Sequence, residues 1–111
     1  MNSIKNRVQL IGNLGQDPEM FTFDGGDKKA SFSLATNEAY TNKAGDKVEQ
    51  TQWHNVVLYG KTADIAERFL NKGSEVAIEG KLTTRSYDKD GEKRYVTEII
   101  GNDMLMLGKK A

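Results

Sequence analysis

Ten consecutive residues in the middle of the chain give the clearest indication of its fold. Residues 50–59 read Gln-Thr-Gln-Trp-His-Asn-Val-Val-Leu-Tyr, the most strand-like segment of the sequence. Successive side chains of a strand point to opposite faces, and here both faces carry apolar groups. Trp53, Val57 and Tyr59 share one face, and the alternate positions carry His54, Val56 and Leu58. This pattern predicts a strand with neighbours on both sides.

A helix is predicted immediately after this strand, over residues 62–71. Its apolar residues recur at helical spacing, at Ile65, Ala66, Phe69 and Leu70. Thr62 is the expected N-cap, and Gly73 is expected to take the left-handed conformation at the C-terminus.

The rest of the chain consists of short strand-like runs separated by turn residues. The predicted strands cover residues 7–14, 20–23, 29–36, 75–87, 93–100 and 104–107, with turns at 24–27 and 88–91 and a mobile loop at 42–46. Apart from the short run at 20–23, three strands precede the helix and a long hairpin follows it. This order predicts an all-β, five-stranded OB-fold Greek-key barrel with one short helix between strands 3 and 4. Gly12, Gly60, Gly80 and Gly101 fall where strands could bend. An SH3-like or other small barrel would show similar alternation.

Length and composition exclude several classes of protein. The 111 residues fit one domain, residues 1–111, with no Cys and one His, so disulfide scaffolds and thiolate or His-rich metal sites are excluded. Lys and Arg number 16 and so do Asp and Glu, which argues against binding nucleic acid by bulk charge but not against a local basic groove. No apolar run approaches the roughly 20 residues of a membrane span, and the N-terminus does not resemble a signal peptide. We therefore expect a cytoplasmic protein without membrane contact.

No catalytic site is predicted. His54 lies mid-strand without a nucleophile motif, and it is interpreted as a packed strand residue or a subunit contact. The carboxylates of residues 88–92 lack the spacing of a calcium loop, and a solvated hairpin turn explains them better. We predict no enzymatic activity, no metal and no cofactor.

Aromatic and basic residues alternate in a more informative way. Tyr40, Trp53, Tyr59 and Tyr87 occupy polar or loop-flanked positions, and basic residues lie close to several of them at Lys43, Lys61 and Arg85. Lys81, Arg85 and Tyr87 share one strand face. Unpaired bases stack on aromatic rings while the phosphates between them need cations, so this pattern favours single-stranded nucleic acid as the ligand. Phe32, Phe69 and Tyr95 are instead predicted to be core residues, and Phe21 and Phe23 flank a turn.

Several motifs in order resemble the bacterial single-stranded DNA-binding proteins (SSB). The segments that carry the resemblance are residues 6–19, 33–38 with Tyr40, 49–61, 70–82, 95–98 and 104–108. The resemblance implies an OB-fold, binding of single-stranded DNA without sequence preference in replication, recombination and repair, and a homotetramer around which the DNA wraps. His54 aligns with a subunit-interface position of the family.

The resemblance also implies which residues bind DNA. The family's stacking aromatics align with Tyr40, Trp53, Tyr59 and Tyr87. Its backbone contacts align with Arg7, Lys43, Lys61, Lys72, Arg85 and Arg94, and Lys81 joins them through the strand face that it shares with Arg85. Tyr40 and Tyr87 stand where the family usually has tryptophan, so weaker binding or a shifted site size is expected.

Family members usually carry a long tail, rich in Gly, Gln and Pro, that ends in an acidic tip and recruits replication and repair enzymes. This sequence ends at Lys109, Lys110 and Ala111, so it is either a truncated core or a naturally short member. If the full protein ends here, the resemblance does not imply recruitment of replication and repair proteins through a tail. An RNA-binding or primosome-type OB domain, or a structural scaffold whose tyrosines merely pack, would account for the same pattern.

Overall fold

A computed structural model describes residues 5–107 of the chain. Six strands and one helix follow one another along it. They are β1 (Val8–Leu14), β2 (Glu19–Thr22), β3 (Lys28–Thr41), β4 (Lys47–Tyr59), α1 (Gly60–Phe69), β5 (Glu75–Lys89) and β6 (Glu92–Met106).

The strands form one sheet that closes into a barrel. Their order is β1-β5-β6-β4-β3-β2, and an additional pairing between β1 and β3 closes the ring. All pairings are antiparallel except that of β4 with β6. Five strands make the barrel, the short β2 extends it beside β3, and α1 connects the third and fourth barrel strands. This arrangement is the predicted OB-fold.

Closure requires β1 to change partners along its length. Val8 to Asn13 pair with β5, whereas Asn13 and Leu14 pair with β3. At the bend, a Cβ atom on Gly12 would collide with the carbonyl group of Ala35, so only glycine fits. A second irregularity lies opposite Gly80, where the register of β5 and β6 shifts by one residue.

The core fills the barrel with aliphatic side chains and Phe32. Its buried residues come from every barrel strand and from one face of the helix: Leu14, Ala30, Phe32, Leu34, Val56, Leu58, Ala63, Ala66, Leu70, Val76, Ile78 and Ile99. Alternate residues of each strand point into this core, so the intervening residues form the outer surface of the barrel.

The helix differs from the prediction at both ends. It begins at Gly60, whose positive φ of 64° lets the chain turn directly out of β4. Thr62 therefore lies inside the helix, and the N-cap is Tyr59, which makes no side-chain capping bond. At the other end Leu70 donates its amide to the carbonyl of Ala66, and Gly73, with φ of 93°, belongs to the turn that follows.

The strands are longer than the sequence pattern predicted. β3 and β4 continue as a polar hairpin arm beyond the core, and the turn at residues 42–46 is held by the Asn42 side chain, which accepts hydrogen bonds from the amides of Ala44 and Asp46 at 3.0 Å. Residues 104–106 belong to β6 and are not a separate strand. Apolar and polar residues do not alternate where neither face of a strand is buried, so the pattern does not predict the polar ends of strands.

Two of the three predicted core aromatics are exposed. Phe32 is buried, but Phe69 is 59% exposed and Tyr95 is 68% exposed. The helix places Ala63 and Ala66 in the core instead of Phe69, and Tyr95 lies on the β5–β6 hairpin beyond the barrel. Among the described residues, no helix is long and apolar enough to cross a membrane.

Candidate nucleic-acid interface

Strand register brings three of the predicted aromatics onto one outer surface. Val56 and Ile99 pair across β4 and β6 and point into the core, so their neighbours Val57 and Ile100 point outward. Residues of the same parity share this surface on β4, β5 and β6. We call the following set the stacking face: Trp53, Tyr59, Lys81, Arg85, Tyr87 and Arg94.

Trp53 lies on a platform provided by the turn after β1. A Cβ atom on Gly15 would come within 2.5 Å of the indole Cζ3 and 2.8 Å of the Ser33 hydroxyl. The amide of Gly15 donates to the carbonyl of Ser33 at 2.9 Å, which ties this turn to β3. The ring therefore rests against backbone on one side, while 60% of the residue stays exposed for a stacking partner.

Arg85 is the best-positioned cation of the stacking face. Its Nε and Nη2 atoms lie 3.1 and 3.3 Å from the two carboxylate oxygens of Glu98. Hydrogen bonds to Glu98, and then the charge of that carboxylate, raise the pKa of Arg85, with smaller contributions from Tyr59 and Tyr87. Tyr87 lies two residues along β5 from Arg85 on the same face, so the guanidinium and this ring are neighbours on the stacking face.

A shallow depression of about 230 Å³ opens on the same surface between Trp53 and Tyr59. Its walls are both polar and apolar, and it is lined by Gln16, Glu19, Ser31, Phe32, Ser33, Asn55, Val56, Val57, Val96 and Glu98. Hydroxyl, amide and small apolar groups can receive a sugar or base edge without selecting one base. Cations of the face have carboxylate partners: Glu98 lies 3.1 Å from Arg85, and Glu92 lies 3.1 Å from Arg94.

The β3–β4 arm carries Tyr40 and Lys43 away from the stacking face. Tyr40 pairs with Val48 and has the parity of Leu34, so it lies on the opposite face of the arm from Trp53. Its side chain is exposed, and Lys43 lies in the exposed turn at the tip. A strand of DNA would have to pass over the edge of the arm to reach both faces.

Three further predicted cations lie at the margins. Arg7 precedes β1, and its Nη2 atom forms an ion pair with Glu79 at 2.7 Å. Lys61 is exposed in the first turn of α1, and Lys72 lies in the turn after the helix. The backbone amide of Lys72 donates to the carboxylate of Asp17 at 2.8 Å, and Lys72 itself is exposed.

The two candidates for chemistry have structural roles. The Nε2 atom of His54 lies 3.1 Å from the hydroxyl of Thr36 across the β3–β4 ribbon. Asp90 and Gly91, both at positive φ, form the two-residue turn between β5 and β6, and Asp88 and Glu92 lie in the strands on either side of it. Across residues 5–107, no three His, Cys, Asp or Glu side chains converge as metal ligands would.

Two residues of the site act by supporting others and are not indicated by the sequence pattern. Gly15 supports Trp53 and Glu98 holds Arg85, and neither role is visible without the register of the strands. Lys29 lies directly opposite Tyr59 and was also missed. Gly15 belongs to the segment 6–19 that resembles the family, but the sequence near it does not indicate which ring lies against it.

An OB barrel with exposed rings and cations on one outer face defines a nucleic-acid-binding barrel. A model of the single-strand binding protein family matches residues 5–107, and the chain belongs to this family. Its members are DNA-binding proteins that catalyse no reaction, which agrees with the prediction of no enzymatic activity.

Two curated relatives align with 95% of this chain. A single-stranded DNA-binding protein 1 of Chlorobaculum tepidum is 49% identical over 107 residues, which cover 66% of its length. A protein of the same description from Xylella fastidiosa is 47% identical over 107 residues, or 79% of its length. The chain therefore spans just under two thirds of the first relative.

Two solved structures share the fold. The Plasmodium falciparum SSB, solved in complex with ssDNA, matches 97% of this chain and all of its own with a TM-score of 0.86 and 35% identity. A deletion mutant of the single-stranded DNA-binding protein from Thermus aquaticus matches 93% of this chain and 50% of its own, with a TM-score of 0.82 and 33% identity.

Proposed function

We propose that this chain binds and protects single-stranded DNA without sequence preference, during replication, recombination and repair. One observation carries the proposal: the stacking face combines the exposed rings of Trp53, Tyr59 and Tyr87 with the Arg85 guanidinium. Every base has a π-face, so stacking on such rings tolerates any sequence. The family match, and a structural neighbour solved with ssDNA, support this ligand.

The proposed site contains eleven residues. Bases stack on Tyr40, Trp53, Tyr59 and Tyr87, and phosphates contact Arg7, Lys43, Lys61, Lys72, Lys81, Arg85 and Arg94. Residues 1–111 act as a single binding domain. Because Tyr40 and Lys43 lie on the arm and Arg7 lies beside β1, the strand follows a curved path around the barrel and not a straight groove.

The decisive experiment removes the Trp53 ring, which rests against the backbone at Gly15. Trp53→Ala should weaken binding to oligo(dT) by about 1–3 kcal/mol, because one base loses its stacking partner. The matched control is Phe69→Ala, which removes an equally exposed ring (59% against 60%) from the helix. Affinities should be measured by calorimetry, since Trp53→Ala removes the protein's single tryptophan.

In the unaltered protein, DNA binding should quench the fluorescence of that tryptophan. Duplex DNA of the same length should compete poorly, because paired bases do not offer their faces. Equal affinity for duplex would refute the single-strand assignment. Preference for oligo(U) over oligo(dT) would point to an RNA reader, which uses the 2′-hydroxyl.

We also propose a homotetramer that is cytoplasmic and nucleoid-associated. The outer edge of β1 from Val8 to Gly12 pairs with no other described strand, and an unpaired edge is a template for a second chain. His54 lies on β4, which is separated from β1 by β3. Mass measurement in solution tests the assembly, and a monomer at micromolar concentration would refute it.

A further inference from the structure

Two phenylalanines on β2 and its turn are exposed next to the stacking face. Phe21 is 54% exposed and Phe23 is 41% exposed. Their ring centroids lie 4.8 Å apart with an interplanar angle of 75°, an edge-to-face pair. Neither ring belongs to the core cluster, so packing of the barrel does not account for them.

The register connects these rings to Tyr59. Phe21 pairs with Lys29 across β2 and β3, and Lys29 pairs with Tyr59 across β3 and β4. Directly opposite residues share a face, so the three side chains form one row on the outer surface. Neighbouring strands are about 4.8 Å apart, which puts the Phe21 backbone about 10 Å from that of Tyr59.

Lys29 supplies the cation of this row. Among residues 5–107, no carboxylate lies within ion-pairing distance of its ammonium group. Its neighbour Lys28, by contrast, is bound to Glu67 at 2.7 Å and to Asp64 at 3.4 Å. The row therefore has an unpaired cation between two exposed rings, those of Phe21 and Tyr59.

Acidic residues mark where the row ends. Asp24 and Asp27 lie in the turn beyond Phe21, with the amide of Phe23 donating to the Asp27 carbonyl at 2.7 Å. Their charges repel phosphate, so a strand that reaches Phe21 and Phe23 does not continue over the turn.

We propose that Phe21 and Phe23, with Lys29, form an additional stacking subsite for the same single strand of DNA, beyond Tyr59. This inference rests on the proposed function. A base lies against the Phe21–Phe23 pair, and the phosphate between this base and the one on Tyr59 contacts Lys29. The subsite lengthens the contact and engages only strands long enough to pass Tyr59.

The test measures affinity as a function of DNA length. Binding of an oligo(dT) length series to the full chain is followed by quenching of Trp53. The double variant Phe21→Ser with Phe23→Ser should bind the shortest oligomers as the unaltered protein does and lose about tenfold affinity for the longer ones. Phe21→Tyr with Phe23→Tyr keeps the rings and should retain that affinity. Lys29→Gln should reduce the salt slope of long oligomers by about 0.7.

The outcomes separate this subsite from the function on which it rests. Unchanged affinity of the serine variant at every length, while Trp53→Ala weakens binding, overturns the subsite and leaves the proposed function intact. If the unaltered protein fails to bind oligo(dT), the proposed function falls. A change in the mass of the assembly with unchanged affinity would assign the rings to a contact between copies and overturn the proposal. Phe69→Ser controls for loss of an exposed ring elsewhere.

Discussion

At the scale of single residues, the ability to bind bases depends on which side chains leave the rings uncovered. Trp53 stays open because residue 15 is glycine and lets the indole lie against the backbone. Arg85 stays oriented because Glu98 holds two of its nitrogens. The neighbours of the rings and cations are therefore as important for the site as the rings themselves.

Gly15→Ala should displace the Trp53 ring, because the new Cβ would lie 2.5 Å from Cζ3. We expect affinity for oligo(dT) to fall by up to the full stacking contribution of about 1–3 kcal/mol. Gly25→Ala is the matched control, since a Cβ there meets nothing within 4 Å. A lower melting temperature with unchanged affinity would contradict a positioning role for Gly15.

Arg85 and Glu98 should have opposite effects on DNA binding. Arg85→Gln removes a proposed phosphate contact and should weaken binding, whereas Glu98→Gln frees the guanidinium and should strengthen binding slightly, because an exposed ion pair contributes little. Glu67→Gln makes the same charge change on the helix, away from the face, and serves as control. Equal weakening of DNA binding by Arg85→Gln and Glu98→Gln would show that the ion pair acts only as a structural link.

At the scale of elements, β1 is attached to β5 by side chains as well as by its ladder. Gln9 and Arg7 both donate to the same carboxylate oxygen of Glu79 at 2.9 Å. Next to them, the Asn6 amide group accepts from and donates to the backbone of Leu82 at 3.0 Å. The bonds of this cluster extend the pairing of β1 with β5 to residues that precede Val8, so they help to hold the strand that closes the barrel.

Stability in acid should depend on this cluster. Hydrogen bonds first from Gln9 and then from Arg7 lower the pKa of Glu79 below its ordinary value of 4.5. A lowered pKa in the folded state stabilises the protein above the unfolded value, and this stabilisation is lost as pH falls through the folded value. The melting temperature of Glu79→Gln should therefore fall less than that of the unaltered protein between pH 7 and about pH 3.

Glu75→Gln, on the same strand, provides the comparison, because the described residues give Glu75 no ion pair. Identical acid profiles for the unaltered protein and Glu79→Gln would contradict the role of the cluster. The effect should be small, because Arg7 and Glu79 are both partly exposed and water screens their attraction.

At the scale of the whole molecule, a net charge of zero conceals an uneven distribution. Bulk attraction to DNA is absent, since 16 cations balance 16 anions. On the stacking face, however, Lys81, Arg85 and Arg94 accompany three rings. We therefore expect short-range contact with phosphates, and not long-range steering, to hold DNA on this face.

Salt dependence measures how many phosphates the whole surface neutralises. Each phosphate contact on a single strand contributes a slope of about −0.7 to the logarithm of affinity against the logarithm of salt, so three cations predict a slope of about −2 for the stacking face. Contacts from the arm and from Arg7 would make the slope steeper. Affinity that does not change with salt would contradict phosphate binding altogether.

Alternation of apolar residues predicts a strand well where one face of the strand is buried, and poorly where neither face is buried. The alternation around Val56 and Leu58 predicted β4 correctly, and the order of strands and helix led to the OB-fold. The polar arm from Asn37 to Thr41 and the exposure of Phe69 were missed. Periodicity identifies a helix, but it does not say which apolar side chain the barrel has room for.

The fold class, the family and the residue types able to bind a single strand follow from the amino-acid sequence, because alternation, turn residues and ordered motifs are local properties of the chain. Which of those residues share a surface follows from the tertiary structure alone. Trp53, Tyr59, Arg85 and Tyr87 lie on one outer surface because β4, β5 and β6 are adjacent in one sheet, and Tyr40 is separated from them by its parity on β3. Residues far apart in sequence meet only when strands pair, and pairing is a property of the closed barrel.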